Sequence, residues 1–271
     1  LDTQDEEEII KTIKYLAPVF GGINLEDISA PRCFNIEKRL KAELNIPVMH
    51  DDQHGTATVV LAGLINALKL RGLNKEEAKL IVNGAGAAGL AITDLLLKYG
   101  FKNLIICDSQ GAIYSGREAL NSEKEKYAEL TNQNKLAGGL AEVIKGADIF
   151  VGVSAAGVLS EEMVKTMNEK PIIFALANPV PEIMPDLAKS AGAYVVATGR
   201  SDFPNQLNNV LAFPGIFRGA LDNKVSQITD KMLVRVAENL AALVETPSVE
   251  EILPNPFNKN VATAVAKAIH D

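Results

Sequence analysis

Tryptophan is absent from this 271-residue sequence, and aromatic residues together make up only 5% of it. So small an aromatic fraction argues against an aromatic-rich β-sandwich. Plentiful Ala, Gly, Val, Ile and Leu instead favour parallel strands buried between helices. Hydrophobic residues account for 47% of the chain, which is enough for a sizeable core in one or two domains.

Lysine- and arginine-rich blocks are also missing, and the formal net charge is −7. A chain of this charge has no electrostatic means of holding nucleic acid or an anionic membrane surface. No apolar run approaches the roughly 20 residues that a transmembrane helix needs. We therefore expect neither nucleic acid nor a membrane among its partners.

Cysteine is scarce: Cys33 and Cys107 stand alone, without a CxxC motif or a nearby Cys/His pair. This pattern is typical of reduced structural thiols in a cytoplasmic protein. The acidic start Leu-Asp-Thr-Gln-Asp-Glu-Glu-Glu does not resemble a signal or transit peptide. Because it also lacks an initial Met, we expect the sequence to begin part-way into a longer one.

Short apolar runs alternate with helical patterns along most of the chain. Strands are predicted at 80–83, 103–108, 148–153, 171–176 and 194–198, with helices at 56–70, 90–99, 138–145, 161–168, 187–190, 228–244 and 261–269. This alternation is typical of an α/β protein with a doubly wound parallel sheet. We predict a partial metal and substrate segment at 1–55, a dinucleotide-binding domain at 56–245 and a C-terminal helical extension at 246–271.

The run Gly84-Ala85-Gly86-Ala87-Ala88-Gly89 matches the GxGxxG fingerprint of dinucleotide-binding proteins. A predicted strand enters it and a predicted helix leaves it, so the pyrophosphate would lie at the helix N-terminus. The alternative is that these glycines serve packing alone.

Asp108 closes the next predicted strand, where a carboxylate can accept hydrogen bonds from the adenosine ribose. A carboxylate also repels a 2′-phosphate, and the following Ser109 and Gln110 bring no cation to offset it. The sequence therefore favours NAD, with NADP as the alternative.

Two acidic pairs, Glu26-Asp27 and Asp51-Asp52, come at the ends of predicted strands, each just before a helix. Carboxylates brought together repel one another unless a cation neutralises them, and such hard oxygen ligands suit Mg²⁺ or Mn²⁺. The spacing alone equally allows solvated loop carboxylates and helix caps. His50 and His54 flank the second pair, and a structural role is favoured for them over metal ligation.

Several long motifs resemble one family, the bacterial-type malic enzymes. They are Gly-Gly-Ile-Asn-Leu-Glu-Asp at 21–27, Ile-Pro-Val-Met-His-Asp-Asp-Gln-His-Gly-Thr-Ala at 46–57, Phe-Ala-Leu-Ala-Asn-Pro at 174–179, the Thr-Gly-Arg-Ser-Asp run from 198, and Phe-Pro-Gly-Ile-Phe-Arg-Gly-Ala at 213–220. The resemblance covers essentially the whole chain. It implies oxidative decarboxylation of malate to pyruvate and CO₂ with NAD(P) and a divalent metal, in a homodimer or a higher homo-oligomer.

The resemblance also implies roles for individual residues. Glu26, Asp27 and Asp52 match the metal ligands, and the loop at 84–89 matches the pyrophosphate site. Asn178 and Asn209 match residues near the nicotinamide and the substrate carboxylate, with Asn208 as a second substrate contact. An amide suits that place because it can donate to a carboxylate without changing the charge around the metal.

One part of the family pattern is not matched. The family's general-base Lys and proton-donating Tyr belong upstream of the 21–27 motif, and Lys11, Lys14 and Tyr15 stand in no matching context. We therefore assign no catalytic residue in this chain and expect it alone to bind coenzyme and metal with little or no turnover. Two alternatives are a non-catalytic NAD-binding regulatory module and a metal-independent Rossmann amino-acid dehydrogenase.

Overall fold

The computed structural model describes all residues from Leu1 to Asp271. Its helices are α1 (Glu6–Leu16), α2 (Arg32–Glu43), α3 (Asp51–Arg71), α4 (Ala87–Tyr99), α5 (Ser122–Leu130), α6 (Leu140–Val143), α7 (Glu161–Lys165), α8 (Pro185–Ser190), α9 (Phe213–Asp222), α10 (Asp230–Ala242) and α11 (Val261–Ala266). Its strands are β1 (Ile23–Leu25), β2 (Val48–His50), β3 (Lys79–Asn83), β4 (Asn103–Asp108), β5 (Gly111–Ala112), β6 (Ile149–Gly152), β7 (Ile172–Ala175) and β8 (Val195–Thr198). None of the helices combines the length and the apolar character that crossing a bilayer would require.

The larger sheet has six strands in the order β5-β4-β3-β6-β7-β8. All neighbours pair in parallel except β4 and the short β5. The chain runs outward from β3 to β4 and then returns to place β6 on the other side of β3. This reversal is the topological switch point of a doubly wound sheet, where ligands bind at the carboxyl ends of the strands. The predicted fold class is confirmed.

Both faces of this sheet are covered, which explains why its strands are continuously apolar. One face contributes to a core of 41 buried residues with α3, α4 and the C-terminal helices. The other face packs against α6, α7 and α8 around 16 buried residues. Strands buried on both sides cannot show the alternation of a half-exposed sheet, so the uninterrupted runs in the sequence were the informative signal.

Helix α3 is the central helix, with 14 of its 21 residues buried. It begins at Asp51 rather than at the predicted Thr56, because Asp51 and Asp52 form an acidic first turn that suits a helix N-terminus. The two acids therefore lie in a helix and not at a strand end, which corrects the sequence-based placement. The helix continues without a break through residues 55 and 56, between which the domain boundary was predicted, and that boundary stays a prediction. Gly72 ends the helix in the left-handed conformation, with φ 68°.

The first 50 residues form a small layer beside the main core. β1 and β2 pair in parallel, with Leu25 opposite His50. Six buried residues, contributed by α1, α2 and this small sheet, form a separate core. The register places the residues after Leu25 beside the start of α3, so two acidic pairs that are 25 positions apart in sequence become neighbours.

Helices α5 and α9 were not predicted. α5 buries only Tyr127 and Ala128, so its apolar stripe is too short to be detected as a periodic pattern. α9 opens with Phe-Pro-Gly, residues that read as a turn, although proline is acceptable in a first helical turn.

Candidate functional site

The glycine-rich loop connects β3 to α4 at the switch point of the sheet. Gly84 has φ +123°, and a Cβ there would lie 2.5 Å from the Val153 carbonyl oxygen. A Cβ on Gly89 would lie 1.7 Å from the Gly84 carbonyl oxygen, so this position needs glycine for folding. Gly86 caps α4, and nothing lies within 4 Å of where its Cβ would be. The loop is therefore closed towards the protein and open towards a ligand at the helix N-terminus, where free N–H groups favour an anion.

Asp108 ends β4 beside this loop, and two cations hold its carboxylate. Arg117 donates to both oxygens, at 2.9 and 2.6 Å, and Lys124 Nζ lies 2.7 Å from Oδ2. Burial opposes ionisation, but the hydrogen bonds from Arg117 and Lys124 outweigh it and hold the pKa of Asp108 well below its usual range. Ser109 and Gln110 supply no cation, but two cations that the sequence analysis did not consider come from 9 and 16 positions further along the chain.

The two acidic pairs meet where β1 ends and α3 begins. The Asp27 amide donates to Asp52 Oδ2 at 2.9 Å, and Asp27 itself adopts a left-handed φ of 58°. Glu26 and Asp27 are exposed, whereas Asp51 is fully buried. The fold thus gathers acids from both sequence motifs at one place.

Asp51 is the unusual member of this acidic cluster, which we define as Glu26, Asp27, Asp51 and Asp52. Its Oδ2 accepts a hydrogen bond from Asn209 Nδ2 at 2.5 Å, while its Oδ1 is buried without any partner. Burial, followed by the charges of Glu26 and Asp52, raises the pKa of Asp51 to about 7. No separate role for Asp51 was predicted from the sequence, although it belongs to one of the two acidic pairs.

No three His, Cys, Asp or Glu side chains of this structure are arranged to surround a metal ion. The metal role predicted for Glu26, Asp27 and Asp52 therefore stays a prediction. His54 Nε2 lies 3.0 Å from Glu37 Oε2, and His50 Nε2 lies 3.2 Å from the Ile28 carbonyl oxygen. His50 Nδ1 is buried without a hydrogen-bond partner, and the structural role favoured for both histidines stays a prediction.

A cavity of about 370 Å³ lies between the carboxyl ends of β6, β7 and β8 and helix α3. We call it the inner cavity, and its polar lining consists of Asp52, Thr56, Ser154, Asn178, Asn208 and Asn209. A second cavity of about 470 Å³, the outer cavity, lies beside Asp108 and Gly84 and shares Ser154 with the inner one. The two cavities adjoin at Ser154, and we refer to them together as the crevice; all three predicted asparagines border its inner end.

A doubly wound sheet with this loop at its switch point and a carboxylate ending the next strand defines a dinucleotide-binding domain of the oxidoreductase type. The chain belongs to the malic enzyme family. The family model for the malic enzyme NAD binding domain matches residues 53–271, and the model for the malic enzyme N-terminal domain matches residues 2–41.

Three similar proteins illustrate this membership. The bifunctional malic/malolactic enzyme of Bacillus subtilis is 57% identical over 99% of this chain, and the NAD-dependent malic enzyme of Geobacillus stearothermophilus is 54% identical over 99%. The solved structure of the NAD-dependent malic enzyme from Thermotoga maritima superposes with a TM-score of 0.96 at 50% identity, covering 99% of this chain and 71% of that one. This chain spans 66% and 56% of the length of the two curated relatives.

Proposed function

We propose that this chain supplies the coenzyme site and the metal site of an enzyme that converts malate to pyruvate and CO₂, with NAD(P) and a divalent cation. The observation that carries the proposal is the position of Asn209. It lines the inner cavity and donates to Asp51 in the acidic cluster at 2.5 Å. A small diacid in the inner cavity would therefore contact the nicotinamide end of the crevice and the acidic cluster together.

Three residue groups would divide the work. The N–H groups at the start of α4 would hold the pyrophosphate, with Gly86 giving the backbone room to approach it. The amides of Asn178, Asn208 and Asn209 would bind a substrate carboxylate without adding charge. The apolar walls of the inner cavity, Val59, Val60 and Leu176 among them, would exclude water from the reacting carbon.

The acidic cluster fits a divalent cation by its chemistry. Its donors are hard oxygens, Asp51 Oδ1 is buried without a partner, and burial followed by the charges of Glu26 and Asp52 raises the pKa of Asp51. Glu26, Asp27 and Asp52 would hold the ion, and Mg²⁺ or Mn²⁺ suits such ligands. When bound, the ion would act as a Lewis acid on the oxygen at C2 of the substrate. The acid–base pair that completes the reaction stays assigned to the part of the family pattern upstream of Gly21.

NAD is the coenzyme we propose, with weak discrimination against NADP. Asp108 disfavours a 2′-phosphate, but Arg117 and Lys124 bring two positive charges against its one negative charge. Similar proteins are named NAD-dependent in some cases and NADP-dependent in others. This agrees with a site whose preference between the two coenzymes can change with a few substitutions. We further propose that the protein is cytoplasmic and forms a homo-oligomer. Light scattering of the purified protein measures its oligomeric state directly.

Titration of the chain with NADH, followed by the change in NADH fluorescence, tests the coenzyme site. Titration with Mn²⁺, followed by the loss of its free-ion magnetic resonance signal, tests the acidic cluster, with Asp52→Asn as the variant expected to weaken Mn²⁺ binding. Saturable binding of both, and tighter Mn²⁺ binding when malate and NAD are present, would support the proposal. Binding of neither ligand would overturn it, and binding of NADH alone would favour a non-catalytic coenzyme-binding module.

A further inference from the structure

Glu182 lies in the segment that follows β7, and its side chain is fully buried. Its Oε1 accepts the Ser154 amide at 2.8 Å, and its Oε2 accepts the Ala177 amide at 3.0 Å. The Ser154 hydroxyl lies 3.4 Å from the same Oε1. No Lys, Arg or His forms a salt bridge with Glu182, so it is held by neutral donors and not by a structural ion pair.

The fold reserves space for this carboxyl group. Gly152 is the last residue of β6, and a Cβ on it would lie 2.4 Å from Glu182 Cδ. Any larger residue at Gly152 would therefore push the carboxyl group out of its position. The backbone contributes as well, because the Leu159 amide donates to the Glu182 carbonyl oxygen at 3.1 Å.

The two amides that Glu182 accepts belong to the crevice. Ser154 follows the end of β6 and borders both cavities, and Ala177 lines the inner cavity immediately before Asn178. Asn83, the last residue of β3, donates from Nδ2 to the Ser154 hydroxyl at 2.8 Å. One hydrogen-bonded chain thus connects the carboxyl ends of three adjacent strands, β3, β6 and β7, beneath the place assigned to the coenzyme.

We infer that Glu182 is a positioning residue for the nicotinamide half of the crevice: it fixes the loops that carry Ser154 and Asn178 so that both face the coenzyme. The inference rests on the coenzyme binding proposed above. Glu182 itself does not line either cavity, and its effect would pass through the two loops. Glu182 reaches the outer cavity only through Ser154, and it makes no hydrogen bond to Asp108 or to the glycine-rich loop.

The test is Glu182→Gln, with affinities measured for NADH and for ADP-ribose, which lacks the nicotinamide ring. Glutamine has the same size as glutamate, but its NH₂ group would face the backbone N–H of Ser154 or Ala177. Two donors would then face each other, and that backbone N–H would lose its hydrogen bond. Because a buried donor left unsatisfied is costly, we expect NADH binding to weaken about tenfold. ADP-ribose binding should change less than about twofold, since most of its contacts would be with Asp108 and the glycine-rich loop, which Glu182 does not touch.

Asp148→Asn is the matched control. Asp148 is also a buried acid that accepts the Lys79 amide at 2.9 Å and Asn168 Nδ2 at 2.8 Å, although unlike Glu182 it also pairs with Arg71 at 2.6 Å. Asp148 precedes β6 at the amino ends of the strands, and the crevice lies at their carboxyl ends. Asp148→Asn should therefore lower the melting temperature and leave the ratio of NADH affinity to ADP-ribose affinity unchanged. A merely structural Glu182 would behave in the same way, and that result would overturn the inference.

Should Glu182→Gln fail to fold, Gly152→Ala displaces the same carboxyl group without changing its chemistry, and it should give the same selective loss of NADH affinity. An unchanged ratio in that variant would overturn the inference. If the unmodified chain binds neither NADH nor ADP-ribose, the proposed function fails first, and the inference fails with it. The two failures are therefore distinguishable in the unmodified protein.

Discussion

The three glycines of the phosphate loop are required for different physical reasons. Gly84 and Gly89 face backbone atoms of the protein, whereas Gly86 faces open space. The sequence motif presents them as equivalent members of one pattern. Only the coordinates separate the glycines that folding needs from the one that a ligand needs.

Gly86→Ala should fold normally and lose coenzyme affinity. Its φ of −91° is accessible to alanine, and no protein atom lies within 4 Å of the added methyl. The methyl would occupy the space needed by the pyrophosphate, so we expect NADH affinity to fall more than about tenfold with little change in melting temperature. Gly89→Ala should fail in both measurements, because its methyl would meet the Gly84 carbonyl oxygen. A Gly86→Ala variant that binds NADH normally would contradict this reading of the loop.

Lys124→Ala should raise the preference for NADH over NADPH. The substitution removes one of the two positive charges on Asp108 and leaves the carboxylate freer to repel a 2′-phosphate. We expect NADPH affinity to fall about fivefold relative to NADH, measured by parallel fluorescence titrations. Lys126→Ala is the control on the same helix, because the Lys126 ammonium lies over the Tyr127 ring instead. Equal losses for both coenzymes would show that Lys124 does not act on selectivity.

Helix α2 is attached to α3 through one buried acid, Glu37. Its carboxylate accepts the His50 amide at 3.0 Å and contacts His54 and Lys41. Burial alone would raise the pKa of Glu37, but the hydrogen bonds and charges of His54 and Lys41 lower it to about 2. A single side chain thus joins the small layer to the first turn of the central helix, next to the acidic cluster.

Glu37→Gln should remove a pH-dependent part of the stability. A carboxyl group whose folded pKa is lowered from 4.5 to about 2 stabilises the fold above pH 4.5 and loses that contribution as the pH falls towards 2. The shift corresponds to roughly 3 kcal/mol. Urea unfolding between pH 7 and pH 2 should show a smaller loss of stability in the variant than in the parent. Glu43→Gln, which alters an exposed ion pair, should leave the pH profile nearly unchanged.

Element prediction succeeded where burial leaves a local signal in the sequence, either a continuous apolar run or a helical period. The buried strands and the amphipathic α10 were predicted within a few residues of their observed bounds. The start of α3 was not, because Asp51 and Asp52 were placed as an acidic pair at the end of a strand and not as the acidic first turn of a helix. Contacts distant in sequence, such as Arg117 with Asp108 or Glu182 with Ser154, leave no pattern that spacing can reveal.

At the scale of the whole molecule, one core unites segments that the sequence divides. The largest cluster of buried residues extends from Met49 to Ile269 and so includes the predicted C-terminal extension. Asn66, buried in the middle of α3, donates to the carbonyl oxygens of Ala241 and Ile252, both at 2.9 Å. The last part of the chain is therefore attached to the central helix by polar contacts as well as by packing.

Asn66→Ala should destabilise the entire fold and not only its C-terminal part. It leaves the Ile252 carbonyl oxygen without a donor, whereas the Ala241 oxygen keeps the Val244 amide at 3.2 Å, and the loss costs about 2 kcal/mol. Calorimetry should show one transition, moved to lower temperature, while Gln133→Ala at an exposed position should leave the transition in place. A separate early transition in Asn66→Ala would show instead that the C-terminal segment unfolds independently.

The central helix has a consequence for how the acidic cluster responds to a cation. Asp51 and Asp52 lie in the first turn of α3. Arg71, the last residue of this helix, donates from a guanidinium nitrogen to Asp148 Oδ1 at 2.6 Å. Glu26 and Asp27 belong to the small layer formed by the first 50 residues, whose core contains only six buried residues. We expect that a cation bound as proposed between the two acidic pairs would draw the small layer towards the central helix, because the small layer has much the smaller core.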